Sequence, residues 1–243
     1  MSKEVRFGRR KSKAERTVAL EDLLEFYKQI GRAPIRERFG IPSCTMGSRV
    51  TLTVLEHFGF AAQYMSVRAI IFNPKFEPLR KAAGMSVVDT VPSGGRPDVF
   101  GHPDAKCVIL GPEKFDINTT NQAHLVVIAD GRYLVDSSLD QANSDINQHD
   151  LGIQLPGVFY ATVTEAFLSG GTNVIRDPVN GCRMIYESFP DDRAYLQDFR
   201  WGQQREDVRD VASQLIVELE FMVEQMVKTE DGTIVTIFPQ KSK

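Results

Sequence analysis

The sequence predicts an α+β fold in which an antiparallel β-sheet packs against a central helix that begins with a cysteine. Apolar residues recur at helical spacing after Ser43, which predicts that helix. An Asp130-Gly131 turn joins two apolar runs, which predicts a β-hairpin. With 42% hydrophobic and 25% charged residues, the 243-residue chain has the composition of a globular protein with a substantial core.

The chain divides into a basic arm at residues 1–16 and a single domain at residues 17–243. The arm carries seven Lys and Arg side chains and two Glu side chains, a charge of +5, so the rest of the chain carries −8 within a net charge of −3. We expect a flexible, solvated tail. Contact of this arm with nucleic acid or another acidic surface is the alternative interpretation.

Periodicity and turn signals place the remaining elements in order. The predicted helices span residues 17–31, 43–58 and 203–228. The predicted strands cover residues 61–74, 106–111, 123–129, 132–136, 157–163 and 182–189, with a terminal strand at 233–238. Residues 75–105 and 137–150 are expected to form loops with short or distorted helical turns, and residues 32–42 form a short connecting segment punctuated by Gly40 and Pro42.

The cysteine pattern favours a reduced, cytoplasmic protein without a metal or other cofactor. The three cysteines, Cys44, Cys107 and Cys182, are widely spaced, odd in number and without a CxxC pair, which is not the pattern of a disulfide framework or a zinc site. No run approaches the ~18–20 apolar residues of a membrane span, and the N-terminus lacks the apolar region of a secretory signal.

Cys44 differs from the other two cysteines in its position. Pro42 and Ser43 mark the start of the central helix, with Ser43 as the predicted N-cap. Cys44 then lies in the first helical turn, where unpaired N–H groups and the positive end of the helix dipole favour a thiolate. The sequence therefore indicates Cys44 as a candidate nucleophile.

The hairpin at residues 123–136 begins with His124 and ends with Asp136. A two-residue type I′ loop would pair Ala129 with Arg132, so that paired residue numbers sum to 261 and the two polar side chains point to opposite faces. A three-residue loop with a G1 bulge would give a sum of 260. His124 and Asp136 would then lie directly opposite, with Cβ atoms ~4.5–5.5 Å apart. We expect the second arrangement.

Together these residues form the parts of a nucleophilic triad. Cys44 would attack a carbonyl carbon, His124 would transfer the proton, and Asp136 would orient and stabilise the imidazolium. The backbone N–H of Cys44 would donate to the developing oxyanion. Asn121 and Gln122 are candidates for a second donor, as is a residue further away.

The order Cys, His, Asp, the helix that ends in HFGF, and the segment HLVVIADGRYLVDS resemble the transglutaminase-like cysteine enzyme superfamily over about residues 40–140. This resemblance implies a papain/transglutaminase-like fold, with Cys44 as nucleophile, His124 as base and Asp136 as orienting acid. Thr45 stands where transglutaminases carry an aromatic residue, and the approach FGIPSC lacks the RGGxC pattern of arylamine N-acetyltransferases.

We therefore expect thiol-dependent acyl chemistry on an amide or ester, through an acyl-enzyme on Cys44. Hydrolysis of a peptide or isopeptide bond is the first expectation, with a peptide or protein amide as substrate. Acyl transfer to an amine is the alternative within this chemistry. An interaction module that keeps the fold without catalysis is the alternative from another class. We expect no membrane partner, and no nucleic-acid partner apart from contacts by the basic arm; the sequence does not define the oligomeric state.

Overall fold

A computed structural model describes residues 18–41, 43–84, 104–111, 123–143, 151, 153–177, 179–197, 201–202, 204–228 and 234–236. Its helices are α1 (Leu20–Ile30), α2 (Arg32–Phe39), α3 (Cys44–His57), α4 (Phe76–Ala82), α5 (Glu165–Leu168) and α6 (Arg205–Glu224). Its strands are β1 (Ala62–Phe72), β2 (Cys107–Leu110), β3 (His124–Ala129), β4 (Tyr133–Asp136), β5 (Phe159–Thr162), β6 (Thr172–Arg176), β7 (Arg183–Phe189), β8 (Met226–Lys228) and β9 (Ile234–Thr236). Two 3₁₀ helices span Leu139–Asn143 and Ala194–Gln197.

Within these residues, β1 to β7 form an antiparallel sheet that is nearly closed into a barrel. The strand order is β5-β4-β3-β1-β7-β6, and β2 pairs with the second half of β1. The side chain of Asn173 on β6 donates to the carbonyl of Thr162 on β5 at 2.9 Å, so the two outer strands approach each other. The predicted mixture of helices and an antiparallel sheet is therefore confirmed.

Alternate residues of the hairpin strands face two different cores. Val127 and Val135 belong to an outer core that also contains apolar side chains of α1, α3 and α6. Val126 and Leu134 belong to an inner core, enclosed by the curled sheet and by segments that follow β4. Because β3 is buried on both faces, its sequence is apolar without interruption after His124.

Helix α3 lies between the sheet and α6, as its apolar pattern predicts. Met46, Val50 and Val54 are each no more than 1% exposed and recur every four residues on the buried face. The hydroxyls of Tyr27 and Thr51 form a hydrogen bond of 2.8 Å that ties α3 to α1. Gly59 follows the helix with a φ of 86°, a conformation in which glycine is the least strained residue.

The structure differs from the sequence predictions at three elements. Residues 32–39, to which no helix or strand was assigned, form α2; Pro34 lies in its first turn, where the missing N–H costs no hydrogen bond. Strand β6 was not predicted. The helix predicted over 203–228 ends at Glu224, and Met226–Lys228 forms a short strand that pairs with Ile234–Thr236.

Some predictions lie outside the described residues, among them the basic arm at 1–16. The extent of the single domain, 17–243, remains a prediction. In the described part of the chain, no helix combines the length and the apolar character needed to cross a bilayer.

Arg32, at the start of α2, connects segments that are far apart in sequence. Its guanidinium forms an ion pair with Asp140, with Nε–Oδ2 and Nη2–Oδ1 distances of 2.9 and 2.7 Å. Its Nη1 donates to Ser43 Oγ at 2.8 Å and to the carbonyl of Ser137 at 3.4 Å. Arg32 thereby joins the residue before Cys44 to the residue after Asp136. Gly157 leaves space for this side chain, since a Cβ at that position would lie 2.1 Å from Arg32 Cγ.

We expect Gly157→Ala to lower the free energy of unfolding by about 1–3 kcal/mol, the usual cost of forcing extra volume into a packed site. The added methyl group would displace Arg32 or the segment that precedes β5. Urea denaturation followed by circular dichroism measures the effect. Gly202→Ala is the matched control, because a Cβ at that position would have no atom within 4 Å. Equal free energies of unfolding for the two variants would contradict the packing described for Arg32.

Candidate active site

Cys44 is the first residue of α3 and is partly buried. Ser43 occupies the N-cap position, as predicted, but its hydroxyl does not cap the helix; it accepts a hydrogen bond from Arg32 instead. The first turn of α3 therefore has no side-chain cap from Ser43. The N–H groups of a first helical turn lack intrahelical partners and favour negative charge nearby. The sulfur of Cys44 lies at this end of the helix.

Helix α3 is attached to strand β3 beside His124. Ser48 Oγ, one turn after Cys44, donates to the carbonyl of Leu125 at 2.7 Å. The backbone N–H of the same Leu125 donates to the sulfur of Cys44. These two contacts hold the cysteine next to the first residue of β3.

The hairpin that carries His124 differs from both predicted loops. Asp130 and Gly131 have φ angles of 49° and 66°, as a type I′ turn requires, and the N–H of Arg132 donates to the carbonyl of Ala129 at 2.9 Å. However, Ala129 pairs with Tyr133, so Arg132 is an extra residue in the second strand. The numbers of paired residues therefore sum to 262.

The predicted direct pairing of His124 with Asp136 is wrong for this reason. When the observed register is continued, Val126 lies opposite Asp136, and His124 is the next residue on the same face. Such diagonal neighbours have Cα atoms about 7–8 Å apart, within reach of a long or aromatic side chain. The predicted shared face is confirmed, since Nε2 of His124 lies 2.8 Å from Oδ2 of Asp136.

Asp136 is held by three further groups besides His124. Its Oδ1 accepts hydrogen bonds from the backbone N–H of Ser138 at 3.0 Å and from the Ser138 hydroxyl at 3.5 Å. Its Oδ2 accepts a hydrogen bond from the hydroxyl of Tyr186 at 3.1 Å. Asp136 is 0% exposed, so these donors replace the water that a carboxylate would otherwise bind.

The three side chains shift one another's proton affinity. Burial opposes the charged form of each group. For Asp136, the charge and the hydrogen bond of His124, with the bonds from Ser138 and Tyr186, nevertheless hold the pKa below its ordinary value. For His124, burial alone would lower the pKa. The charge and hydrogen bond of Asp136, followed by those of Cys44, outweigh burial and raise the pKa to about 10.

The thiol of Cys44 shows the opposite shift. Burial would raise its pKa, but the hydrogen bond and charge of His124, the N–H of Leu125 and the hydroxyl of Thr45 together lower it. The lowered pKa of the thiol and the raised pKa of the imidazole both favour a proton on His124 over a proton on Cys44. The geometry therefore favours a thiolate–imidazolium pair.

The hydrogen bond to Asp136 also assigns the two ring nitrogens. Nε2 faces the carboxylate, which leaves Nδ1 for the sulfur of Cys44. Asp136 thus fixes the orientation of the imidazole ring and determines that Nδ1 is the nitrogen that faces the sulfur of Cys44. The arrangement is suited to moving one proton between Cys44 and a group bound against it.

Sequence reasoning missed two residues that shape this site. Tyr186 lies on β7, and alternation along that strand is its only sequence signal, because its contact with Asp136 depends on the pairing of β7 with β1. Arg32 lies in the short connecting segment 32–42, to which no helix was assigned from sequence. Of the predicted oxyanion donors, the backbone of Cys44 lies at the helix N-terminus, whereas Asn121 and Gln122 lie outside the described residues.

The remaining cysteines and histidines of the described chain lie elsewhere. Cys107 is partly buried and packs beside Phe72 and Phe76, and Cys182 is fully buried in the inner core, where burial raises its pKa to about 12. His57 pairs with Glu220 at 2.8 Å. Among the residues described here, no group of three or more His, Cys, Asp and Glu side chains could hold a metal ion.

We expect the alkylation of Cys44 by iodoacetamide to remain fast below pH 8, where an ordinary thiol is protonated. His124→Gln removes the cation that lowers the pKa of Cys44. The alkylation rate of Cys44 at mildly acidic pH should then fall by about tenfold or more, because each unit of pKa changes the thiolate fraction tenfold at such pH. Peptide mapping by mass spectrometry assigns the modified cysteine.

His57→Gln is the matched control for this measurement, because His57 lies at the other end of the same helix, where its Nε2 is 2.8 Å from an exposed glutamate, Glu220. Its alkylation profile should equal that of the wild type. A Cys44 rate that follows the pH dependence of a free thiol in the wild type would contradict the ion pair.

The ion pair also predicts how stability depends on pH. Between about 6.5 and 9.0, the ordinary values for His and Cys, the unfolded pair binds one proton, on Cys44. As a thiolate–imidazolium pair, the folded residues also bind one proton, on His124. For this ion pair, the free energy of unfolding should therefore not depend on pH in this range. The free energy of unfolding should fall as the pH drops below this range, because the unfolded chain then binds a second proton. It should also fall as the pH rises above this range, until His124 loses its proton at a pH of about 10.

Cys44→Ser separates this behaviour from that of other groups. Without the thiol, the folded His124 still binds a proton that the unfolded His124 loses above a pH of about 6.5, so the stability of the variant should fall by up to about 1.4 kcal/mol per pH unit relative to the wild type. Urea unfolding at several pH values between about 6.5 and 9 measures the difference. Parallel curves for wild type and variant would show that Cys44 is protonated in the folded protein.

No family model, curated protein or solved structure matches this chain. The transglutaminase-like resemblance therefore remains a prediction based on the hairpin and on the helix that begins at Cys44.

Proposed function

We propose that the chain is a cysteine enzyme of the papain/transglutaminase-like type that hydrolyses a peptide or isopeptide bond through an acyl-enzyme on Cys44. The observation that carries this proposal is the buried hydrogen bond between His124 and Asp136, with the sulfur of Cys44 on the other side of the imidazole. A structural cysteine gains nothing from such an arrangement. A nucleophile needs it, because the thiolate is the reactive form.

In the first half of the proposed reaction, the thiolate of Cys44 attacks the carbonyl carbon, and the electron pair of the C=O bond moves to the oxygen. The backbone N–H of Cys44 donates to this oxyanion. His124 then transfers its Nδ1 proton to the departing amine nitrogen as the C–N bond breaks. The products are a free amine and a thioester on Cys44.

In the second half, neutral His124 removes a proton from a water molecule as the water oxygen attacks the thioester carbon. The tetrahedral intermediate collapses, the C–S bond breaks, and its electron pair returns to the sulfur as the thiolate. His124 keeps the proton and the resting ion pair is restored. Asp136 remains ionised throughout and stabilises the imidazolium. If an amine replaces water, the same steps give acyl transfer.

We expect p-nitrophenyl acetate to acylate wild-type Cys44 with a stoichiometric burst of p-nitrophenol. Intact-mass spectrometry after acid quenching should then show one acetyl group per chain. The ester is the probe because its leaving group reports acylation directly, without knowledge of the natural substrate. Cys44→Ala should lose both the burst and the adduct.

Cys107→Ser is the matched control, because Cys107 is also partly buried but packs against an apolar cluster away from His124, formed by Ile70, Phe72, Phe76 and Ile185. It should keep the full burst. Absence of a burst from wild-type protein, or a burst of equal size in Cys44→Ala, would favour the interaction module over the enzyme. Addition of glycinamide distinguishes the two reactions, since an acyltransferase would release N-acetylglycinamide in place of acetate.

A further inference from the structure

A cavity of about 290 Å³ lies between α3, β1 and the beginning of α6, and none of the three candidate catalytic side chains lines it. Its wall is formed by basic and aromatic side chains together with one hydroxyl and one aliphatic side chain: Arg49, Arg205, Arg209, Tyr64, Trp201, Thr53 and Val208. Its volume lies just below the range typical of small-molecule sites, about 300–1,000 Å³. The cavity can therefore hold a small ligand.

Positive charge dominates the cavity. Arg49, Arg205 and Arg209 all line it, and no acidic side chain is among its lining residues within the described chain. Burial lowers the pKa of Arg49, the charge of Arg205 lowers it further, and the phenol of Tyr64 opposes these effects. Three guanidinium groups around one small space repel one another, and an anion bound between them would relieve this repulsion.

Acidic side chains also lie near this cluster, but outside the cavity wall. Asp210 is 3.9 Å from Nε of Arg209, and both side chains are about 70% exposed, so water screens the pair. The negative charge of Glu56 contributes to raising the pKa of the Tyr64 phenol, after the larger effect of burial. Asp207, in the first turn of α6, pairs with Arg38 on α2. The residues that line the cavity therefore carry a net positive charge.

Tyr64 and Trp201, which also line the cavity, provide aromatic surface. Tyr64 and Trp201 meet edge to face, with ring centroids 5.1 Å apart, and Tyr195 supports both at 5.6 and 5.0 Å. The guanidinium of Arg49 lies 5.1 Å from the centre of the Trp201 ring. This contact holds Arg49 in place by a cation–π interaction and sets a charged group beside an aromatic wall.

We infer that this cavity binds a small oxyanion, a phosphate or a carboxylate, that carries a planar apolar group. The guanidinium groups match the oxyanion, because each can donate two parallel hydrogen bonds to such a group. Tyr64 and Trp201 match the planar part. Thr53 supplies a hydroxyl as a further donor. Binding at this cavity is independent of the chemistry proposed for Cys44.

The chain contains a single tryptophan, so the fluorescence of Trp201 reports directly on the cavity. We expect phenyl phosphate to change this fluorescence with a saturable dependence on concentration, and inorganic phosphate to bind more weakly. Benzoate distinguishes a carboxylate site from a phosphate site. Arg205→Gln and Arg49→Gln should each weaken binding by about tenfold, which corresponds to about 1.4 kcal/mol and to the loss of one charge-assisted hydrogen bond.

Lys28→Gln is the matched control, since it removes one positive charge from the exposed surface of α1, away from the cavity. Its affinity should equal that of the wild type. Cys44→Ser should also bind with unchanged affinity, which separates this site from the proposed catalysis. An unchanged spectrum with both aromatic anions at millimolar concentration would overturn the inference, as would equal affinity in Arg205→Gln and Lys28→Gln.

Discussion

The hydrogen bond between His124 and Asp136 is the constraint on which the rest of the site depends. The two residues are 3% and 0% exposed, so each would be a costly buried group without the other. Keeping both charged requires donors on the remaining lone pairs of the carboxylate. Ser138, just after β4, and Tyr186, two strands away from β3, supply them. A cationic His124 therefore depends on the hydrogen bonds that Ser138 and Tyr186 donate to Asp136.

The position of Cys44 is fixed by a second set of contacts, and these come from outside the hairpin. Ser48 attaches α3 to the carbonyl of Leu125, and Arg32 holds the residue that precedes the helix. Arg32 also contacts the backbone after Asp136 through Ser137. One guanidinium thus relates the start of the cysteine helix to the end of the aspartate strand, and a small shift of either would change the distance between sulfur and imidazole.

Local sequence signals were sufficient for the helix that begins at Cys44, for both hairpin strands and for the shared face of His124 and Asp136. They were insufficient for the register. The turn at Asp130 is held by the backbone of Ala61, and the carbonyl of Arg132 accepts a hydrogen bond from Val163, so residues before β1 and after β5 determine where the extra residue lies. No pattern within the hairpin encodes those contacts.

Contacts between segments that are distant in sequence also explain why Tyr186 and Arg32 were missed. Tyr186 reaches Asp136 only because β7 pairs with β1, and Arg32 reaches Asp140 across more than 100 residues of sequence. In the proposed reaction, these distant contacts have a chemical consequence. The thiolate of Cys44 helps to raise the pKa of His124, and acylation removes that charge. The imidazole then loses one of the two influences that raise its pKa. Forming the thioester would itself convert His124 from the proton donor for the amine into a base able to activate water.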